Sequence, residues 1–417
     1  MTGRSELWKH RDFLNVWAAE TISVFGGQFY LIAMPLVAVL VLDASESDMG
    51  LLFAVEMSPF LLFGLLAGVL ADRKERRMMM IVCDFGRAFT LAVIPVTWYF
   101  DLLTWPVMFG VAFVTGVFTA FFDIAYQAYL PVLVKRHQLL DANSKLETSR
   151  SSSQVAGPSI AGIVADAISA PLALVANSIS FLASAFFLLR VKMRQAIDKK
   201  KVHKPVLPEI REGLNFVFRN PTLRGIAGCT STANLFGSMF FALMMLFMVD
   251  SLLLSPTWIG IIFAVGAGGA VVGAIISARI VSAIGLGKTI VISAVLSGIP
   301  IILMVLAYPS NAIPILMPLW FVNGLLMVVY NVNQVSLRQA ITPIHLQGKM
   351  NATMRFLVWG VFPIGGLIGG YLGETFGMRT TILISGIGTL FSVVWVALSP
   401  VMKTTSIPEG EEGSPAT

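Results

Sequence analysis

Long apolar runs, parted by loops of only a few residues, are the feature that most limits what this chain can become. A helix needs about 20 apolar residues to cross the hydrocarbon of a bilayer. Twelve stretches reach that length: roughly 12–42, 47–71, 79–101, 104–134, 139–167, 170–192, 222–250, 255–282, 287–308, 312–341, 346–373 and 378–401. Only 12% of the 417 residues are charged, against roughly 25% in a soluble domain, and the mean hydropathy is +0.81. The expected fold class is an all-α membrane protein of twelve transmembrane helices.

Loop charge sets the expected orientation. Asp43–Glu46, Asp101–Thr104, Ile168–Ala170, Ser251–Ser255 and Pro309–Ala312 carry no Lys or Arg. The alternate loops hold Arg73 to Arg77, Lys135, Arg136, Lys288 and ten cations between Arg190 and Arg224. Cations stay on the cytoplasmic side, so both termini are expected there, and Arg379 alone falls on the outer side. The net charge of +6 is thereby a topology signal, and no nucleic-acid partner is expected. Cys83 and Cys229 stand far apart in apolar runs, which excludes a disulfide framework. Arg4, Lys9 and Arg11 precede the first run without a small-residue cleavage site, so that run reads as an uncleaved first helix.

The chain repeats itself. Phe25-Gly26 matches Phe236-Gly237 at an offset of 211, Gly64 and Gly68 match Gly269 and Gly273 at 205, and His137, Asn143 and Gly162 match His345, Asn351 and Gly370 at 208. Near-constant offsets argue for two related six-helix halves, residues 1–192 and 222–402. A cytoplasmic linker, 193–221, lies between them. In it Ile210, Leu214, Val217 and Phe218 recur at helical spacing, the pattern of an amphipathic helix on the membrane surface. Residues 403–417 are acidic, rich in Pro and Gly, and read as a disordered tail.

One loop carries a signature. Gly68, Asp72, Arg73, Arg76 and Arg77 resemble G-x-x-x-D-R-x-G-R-R/K, the loop between helices 2 and 3 of the major facilitator superfamily, with Glu75 where that family has glycine. The runs Phe122–Pro131 and Asn143–Ser151 resemble the bacterial drug-efflux branch, which includes macrolide-efflux and enterobactin-exporter-like proteins. Gly157, Pro158 and Gly162 resemble the antiporter motif of the fifth helix, G-P-x-x-G-G, with Ala161 replacing one glycine. The resemblance implies two bundles that rock about a central mid-membrane site, with export rather than uptake. It also implies that Asp72 faces the N-terminus of the eleventh helix, near Gln347-Gly348-Lys349, as a gate. A carboxylate is attracted to the partial positive charge there. The alternative is that the loop only fixes topology. The second half has Ser277 in place of Asp72, so the acidic latch exists in one half only.

Ionisable groups inside the bilayer cost at least ~2.5 kcal/mol each and persist where they face a cavity or a partner. Glu56 lies nine residues into the second run, about 13 Å along the helix. It reads either as a carboxyl that gains and loses a proton during transport or as a protonated tether between helices. Asp123 in the fourth run reads as a coupling site or as a partner of Arg150 or Arg76. Asn143, Glu147, Arg150, Ser151 and Gln154 share one face of the fifth run. Glu147 and Arg150 are a candidate pair, and Glu20 lies at similar depth and completes the cluster. Asp84 and Arg87, at i and i+3, read as a self-neutralising pair. Arg355 occupies the duplicate position of Glu147 and is a candidate for the inner gate or for anionic cargo.

The cavity is expected from the first, fourth, seventh and tenth runs. Candidate walls are Phe25, Phe29, Tyr126, Phe241, Met245 and Met327; candidate polar anchors are Gln28, Gln127, Asn234, Asn323 and Asn331. Aromatic and Met-rich walls suit varied apolar cargo, but such residues also serve as ordinary packing. No ATP-binding P-loop and no His or Cys metal set occurs, so the expectation is no cofactor and a proton gradient as the driving force. The sequence therefore reads as a monomeric, proton-coupled exporter of amphipathic small molecules such as drugs, in a bacterial cytoplasmic membrane. A dedicated siderophore or lipid exporter is the alternative. A membrane-embedded enzyme or receptor is the remaining class, and no nucleophile–base spacing supports it.

Overall fold

The computed structural model describes residues 7–193, 206–343 and 346–406, without the side chains of 64–73, 136 and 206–210. Among the described residues the secondary structure is helical throughout, with no strand. Six long helices come first: α1 (Arg11–Leu42), α2 (Glu46–Arg73), α3 (Arg76–Tyr99), α4 (Trp105–Leu133), α5 (Leu139–Ala167) and α6 (Ala170–Arg190). A shorter helix α7 (Val206–Arg219) precedes α8 (Pro221–Leu246), which ends in a π-helical turn (Phe247–Ser251). Then come α9 (Pro256–Ile284), α10 (Leu286–Met304), α11 (Ala312–Ala340), the broken pair α12 (Gln347–Trp359) and α13 (Phe362–Phe376), and α14 (Met378–Phe391) with α15 (Val393–Ala397).

Ten of these segments are long and apolar enough to cross a membrane. The helices α2 and α5 stand at the two remaining expected places with 28 and 29 residues, about 42 Å at 1.5 Å per residue. Five polar residues on one face of α5, noted above, dilute its apolar character.

The chain divides into two compact units. Unit 1 holds Met1–Lys201 with Ala242–Ala264, and unit 2 holds Val202–Phe241 with Val265–Thr417. In unit 1, α1 packs on α5 and α6, α3 on α4 and α6, and α2 on α4. Its core joins Phe13, Met80, Phe122, Tyr129 and Leu146. In unit 2, α10 packs on α11 and α14, and α7 on α12. One of its cores gathers Ile226, Cys229, Leu286, Ile290 and Val396.

The duplication is visible in backbone detail. After α1, Asp43 turns left-handed at φ 48°, and the Ala44 N–H donates to the Ala38 carbonyl at 3.1 Å. After α8, Leu253 does the same at φ 55°, and the Leu254 N–H donates to the Met248 carbonyl at 3.0 Å. Every one of these positions recurs 210 residues later. The bond closes the helix C-terminus by satisfying an otherwise orphaned carbonyl. Asp tolerates the left-handed region, whereas Leu is strained there.

Two arginines close helix ends elsewhere. Arg77 donates from Nε to the Leu188 carbonyl and from a terminal nitrogen to Leu189, both at 2.9 Å, at the end of α6. Arg379 donates to the Val305 and Ala307 carbonyls past the end of α10, and its guanidinium lies 4.2 Å from the Tyr308 ring centroid. A cation is favoured at a helix C-terminus, which accounts for a lone arginine in a loop set otherwise free of cations.

Candidate functional site in the helix interiors

Unit 1 buries an ionic cluster. Asp84 on α3 has no exposed surface and Arg87, one turn on, is 4% exposed. They form an ion pair, and the other Asp84 oxygen accepts from Ser184 of α6 at 2.7 Å. The Arg87 guanidinium lies between the rings of Phe122 on α4 and Phe181 on α6, 4.1 Å from each centroid. This double cation–π contact holds a charge where no water reaches it. Glu20 on α1, 8% exposed, pairs with Arg150 of α5 at 3.5 Å. It stands within electrostatic range of Asp123 and Arg87 as well. Three carboxyls, Glu20, Asp84 and Asp123, thus share the surroundings of two guanidiniums, Arg87 and Arg150.

Glu56 stands apart from this cluster. Its neighbour is the Tyr30 phenol of α1, whose buried hydroxyl has no hydrogen-bond partner among the described residues. Among the described residues it forms no ion pair. Next to it, Pro59 lacks the N–H that would bond the Val55 carbonyl, and the Ser58 hydroxyl donates to that carbonyl instead at 2.9 Å. Helix α4 comes close here, since a side chain at Gly116 would press on the Glu56 backbone and on Pro59.

One expected pairing changes. Arg150 bonds Glu20 rather than Glu147, which is exposed on α5. Arg76 donates to the Ala128 carbonyl of α4 at 2.7 Å. Gly68, Asp72 and Arg73 fall among the residues whose side chains are not described. Gly157 lies against the Gln28 side chain of α1. Beyond Pro158, Gly162 meets Gly260 of α9 backbone to backbone, and the next turn is tied by the Thr257 hydroxyl donating to Asp166 at 2.6 Å. Side chains at Gly162 or Gly260 would overlap the facing carbonyls of Pro256 and Pro158. This is the close approach that small residues permit between membrane helices.

Unit 2 meets burial mostly with neutral groups, although Arg338 of α11 has a buried Nε without a hydrogen-bond partner. Ser277, the counterpart of Asp72, is 3% exposed and accepts from the Asn333 amide at 2.8 Å. The Gln334 amide donates to Asn331 at 2.9 Å, and the Thr230 and Tyr330 hydroxyls share a bond of 2.8 Å. At the break between α12 and α13, just before Pro363, the Leu357 and Val358 carbonyls accept from Ser231 and Asn234 of α8 at 3.1 and 2.9 Å. Asn234 is therefore committed to backbone that the break leaves exposed. Arg355 of α12 lies over the Trp359 ring, 4.8 Å from its centroid.

The proposed wall residues divide between the units. Phe25, Gln28 and Phe29 on α1 are half-buried, Tyr126 and Met245 are buried, and Gln127 is exposed. In unit 2, Phe241 stacks edge-on with Trp320, Asn323 is half-buried, and Met327 and Asn331 are exposed on α11. Ser184 and Phe181 complete the ionic cluster without having been singled out from the sequence. The Ser180 and Ser184 spacing on the sixth run, one helical turn in an apolar stretch, was the available signal.

Residues 7–412 match the family model described as transmembrane secretion effector. The chain is 27% identical over 398 residues to the multidrug efflux pump Tap of Mycolicibacterium fortuitum, covering 89% of this chain and 91% of that one. It is 30% identical over 160 residues to macrolide efflux protein A of Streptococcus pyogenes, 38% of each. It is 30% identical over 216 residues to the uncharacterized MFS-type transporter YfiS of Bacillus subtilis, 51% of each, so the chain spans about half the length of that relative. A bacterial homologue of the lysosomal transporter Spinster, solved inward-facing and occupied, shares the fold with a TM-score of 0.76 at 12% identity, over 96% of this chain and 98% of that one. A chain that folds into these helices and matches that family over nearly its whole length belongs to the transmembrane secretion effector family of the major facilitator superfamily.

Proposed function

We propose that this transporter exports amphipathic small molecules, antibiotics and dyes among them, across a bacterial inner membrane in exchange for protons. The named activities of Tap and macrolide efflux protein A support the cargo class, and the glycine and proline motif of α5 supports the direction. Glu56 is the observation that carries proton coupling. A half-buried carboxyl on a membrane helix, beside a phenol and in no ion pair among the described residues, can exchange a proton without breaking a salt bridge. It binds a proton from the side of higher proton concentration and gives it up where water reaches it. The cluster of Glu20, Asp84 and Asp123 around Arg87 and Arg150 is the second place proposed to hold a proton. Alternating access moves cargo between the two faces, and the apolar, Met-rich walls adapt to varied shapes. The loop cations support a cytoplasmic position for both termini.

The test is accumulation of a fluorescent dye and of a macrolide in cells expressing the chain. Export is expected to cease with a protonophore, and with Glu56→Gln at unchanged expression. Uptake along the gradient would reverse the direction. Export of a siderophore or lysolipid with no effect on dyes would replace a broad exporter by a dedicated one. Export by Glu56→Gln and Glu20→Gln together at the parent rate would remove proton coupling at these sites.

A further inference from the structure

Each unit carries a basic cavity at the end of its bundle where loop cations gather, and the two share two pairs of duplicate positions. In unit 1 a cavity of about 250 Å³ lies between the segment entering α1, with Lys9 and His10, and the turn between α4 and α5, with Leu133, Lys135 and Gln138. In unit 2 a cavity of about 500 Å³ lies between α7, with Arg211, Asn215, Phe216 and Arg219, and the turn between α11 and α12, at Leu346. Leu346 is the duplicate of Gln138 at the offset of 208, and Arg219 is the duplicate of Lys9 at 210.

The correspondence extends to what anchors and what faces outward. Leu7 and Val217, 210 apart, have no exposed surface. Leu7 packs in the core that contains Ala142 and Leu146 of α5. Val217 packs with Met350 and Met354 of α12, which are 208 residues beyond that pair. Next in each segment comes an exposed aromatic residue, Trp8 at 50% and Phe218 at 49%, and next an exposed cation, Lys9 and Arg219. The order of buried anchor, exposed aromatic and exposed cation is thus repeated in both halves.

That order has a physical reading. On α7, Phe218, Arg211, Asn215 and Arg219 fall within about 100° of one another at 100° per residue, opposite Gly213 and Val217, which face α12. An aromatic ring left half in the open beside cations is the pattern of a membrane interface, where the ring sits at headgroup level. Glu212, the one acid lining the larger cavity, is neutralised by Lys349 at 2.6 Å. Among the described residues Lys9, Lys135, Arg211 and Arg219 form no ion pair. Each cavity therefore presents at least two uncompensated cations at headgroup depth, with donors that match phosphate oxygens.

We propose that the two cavities bind the headgroups of anionic phospholipids, one in each unit, with Trp8 and Phe218 resting in the interface beside the bound lipid. The full chain is placed in nanodiscs of phosphatidylcholine with a minor share of phosphatidylglycerol, and retained lipid is counted by native mass spectrometry after exchange into detergent. The parent is expected to retain phosphatidylglycerol over phosphatidylcholine. Lys9→Gln with Lys135→Gln, and separately Arg211→Gln with Arg219→Gln, are each expected to abolish one retained lipid and to weaken retention about fivefold per cation removed. Arg219→Lys should keep it. If a double variant does not fold, Lys9→Gln or Arg219→Gln alone, at exposed positions, carries the test at about fivefold. Three results overturn the proposal: equal retention by parent and variants, equal retention of phosphatidylcholine, or displacement of the lipid by millimolar inorganic phosphate, which would make these soluble-anion sites.

Discussion

Unit 1 buries Glu20, Asp84 and Arg87, with Asp123 and Glu56 half-buried, whereas unit 2 buries Ser277, Asn333 and Gln334 beside the half-buried Thr230, Tyr330 and Arg338. Their turns and offsets follow one plan, so similar helix frameworks carry two different polar interiors. At the duplicated position of Asp72 stands Ser277, joined to α11 by a neutral hydrogen bond. A neutral pair satisfies buried atoms at little risk, contributing a net ~0.5–1.5 kcal/mol. A buried ion pair is no more stabilising than an apolar replacement, and it becomes a liability once either partner is lost. Among the described residues the buried acids gather in unit 1, whereas unit 2 has neutral contacts and the partly buried Arg338; the proposed proton exchange uses the acids of unit 1.

Stability separates the two kinds of interior most sharply. Arg87→Met leaves Asp84 buried without its cation and should cost about 3–5 kcal/mol, measured by denaturant unfolding in a fixed detergent. Asn333→Ala, which strands only the Ser277 hydroxyl, should cost about 1–3 kcal/mol. Equal losses would break the contrast. The glycines of the repeated Phe-Gly pair sharpen it further. A side chain at Gly26 would collide with Ser180 and Asn177 of α6, whereas Gly237 faces open space. Gly26→Ala is expected to destabilise by about 1–3 kcal/mol, and Gly237→Ala to stabilise by about 0.5–1 kcal/mol through helix propensity. The same unfolding curves check both signs.

Helix ends give smaller effects. Arg379→Ala removes both donors and the cation from the end of α10, and should cost about 1 kcal/mol in the melting of purified protein. Smallest is the strained turn of the second half. Leu253→Gly relieves a left-handed residue worth about 1–2 kcal/mol and loses about 0.5–1 kcal/mol to glycine's freedom when unfolded. A net gain of about 0.5 kcal/mol is expected there. Asp43→Gly, at the matching turn of the first half, should gain less because Asp already tolerates that region.

Most of the architecture was legible because lipid imposes a simple rule. Apolar length placed α1 to within a residue, Arg11–Leu42 against 12–42, and the cation count of the loops marked their ends. The recurring glycines and the Phe-Gly pair disclosed the duplication. The amphipathic spacing from Ile210 to Phe218 located α7. Partnerships across helices were not legible. Periodicity relates a residue only to its own helix, so it found Asp84 with Arg87 yet offered Glu147 to Arg150, which the fold gives to Glu20 on α1. The bonds of Arg77 to the carbonyls that end α6 were not legible either, because carbonyl acceptors leave no trace in side-chain identity. The break near Gly360 lay inside one apolar run, and its Ser231 and Asn234 donors come from a different helix.

Proton exchange confined to unit 1 is tested most directly in proteoliposomes with a pH-sensitive dye inside, by adding a macrolide or a dye cargo and recording the proton flux it evokes. The flux should vanish in Glu56→Gln combined with Glu20→Gln, and should persist near the parent rate in Asn333→Ala combined with Gln334→Ala. Cargo-evoked flux that survives the loss of both carboxyls, or that disappears with the two amides, would contradict the account.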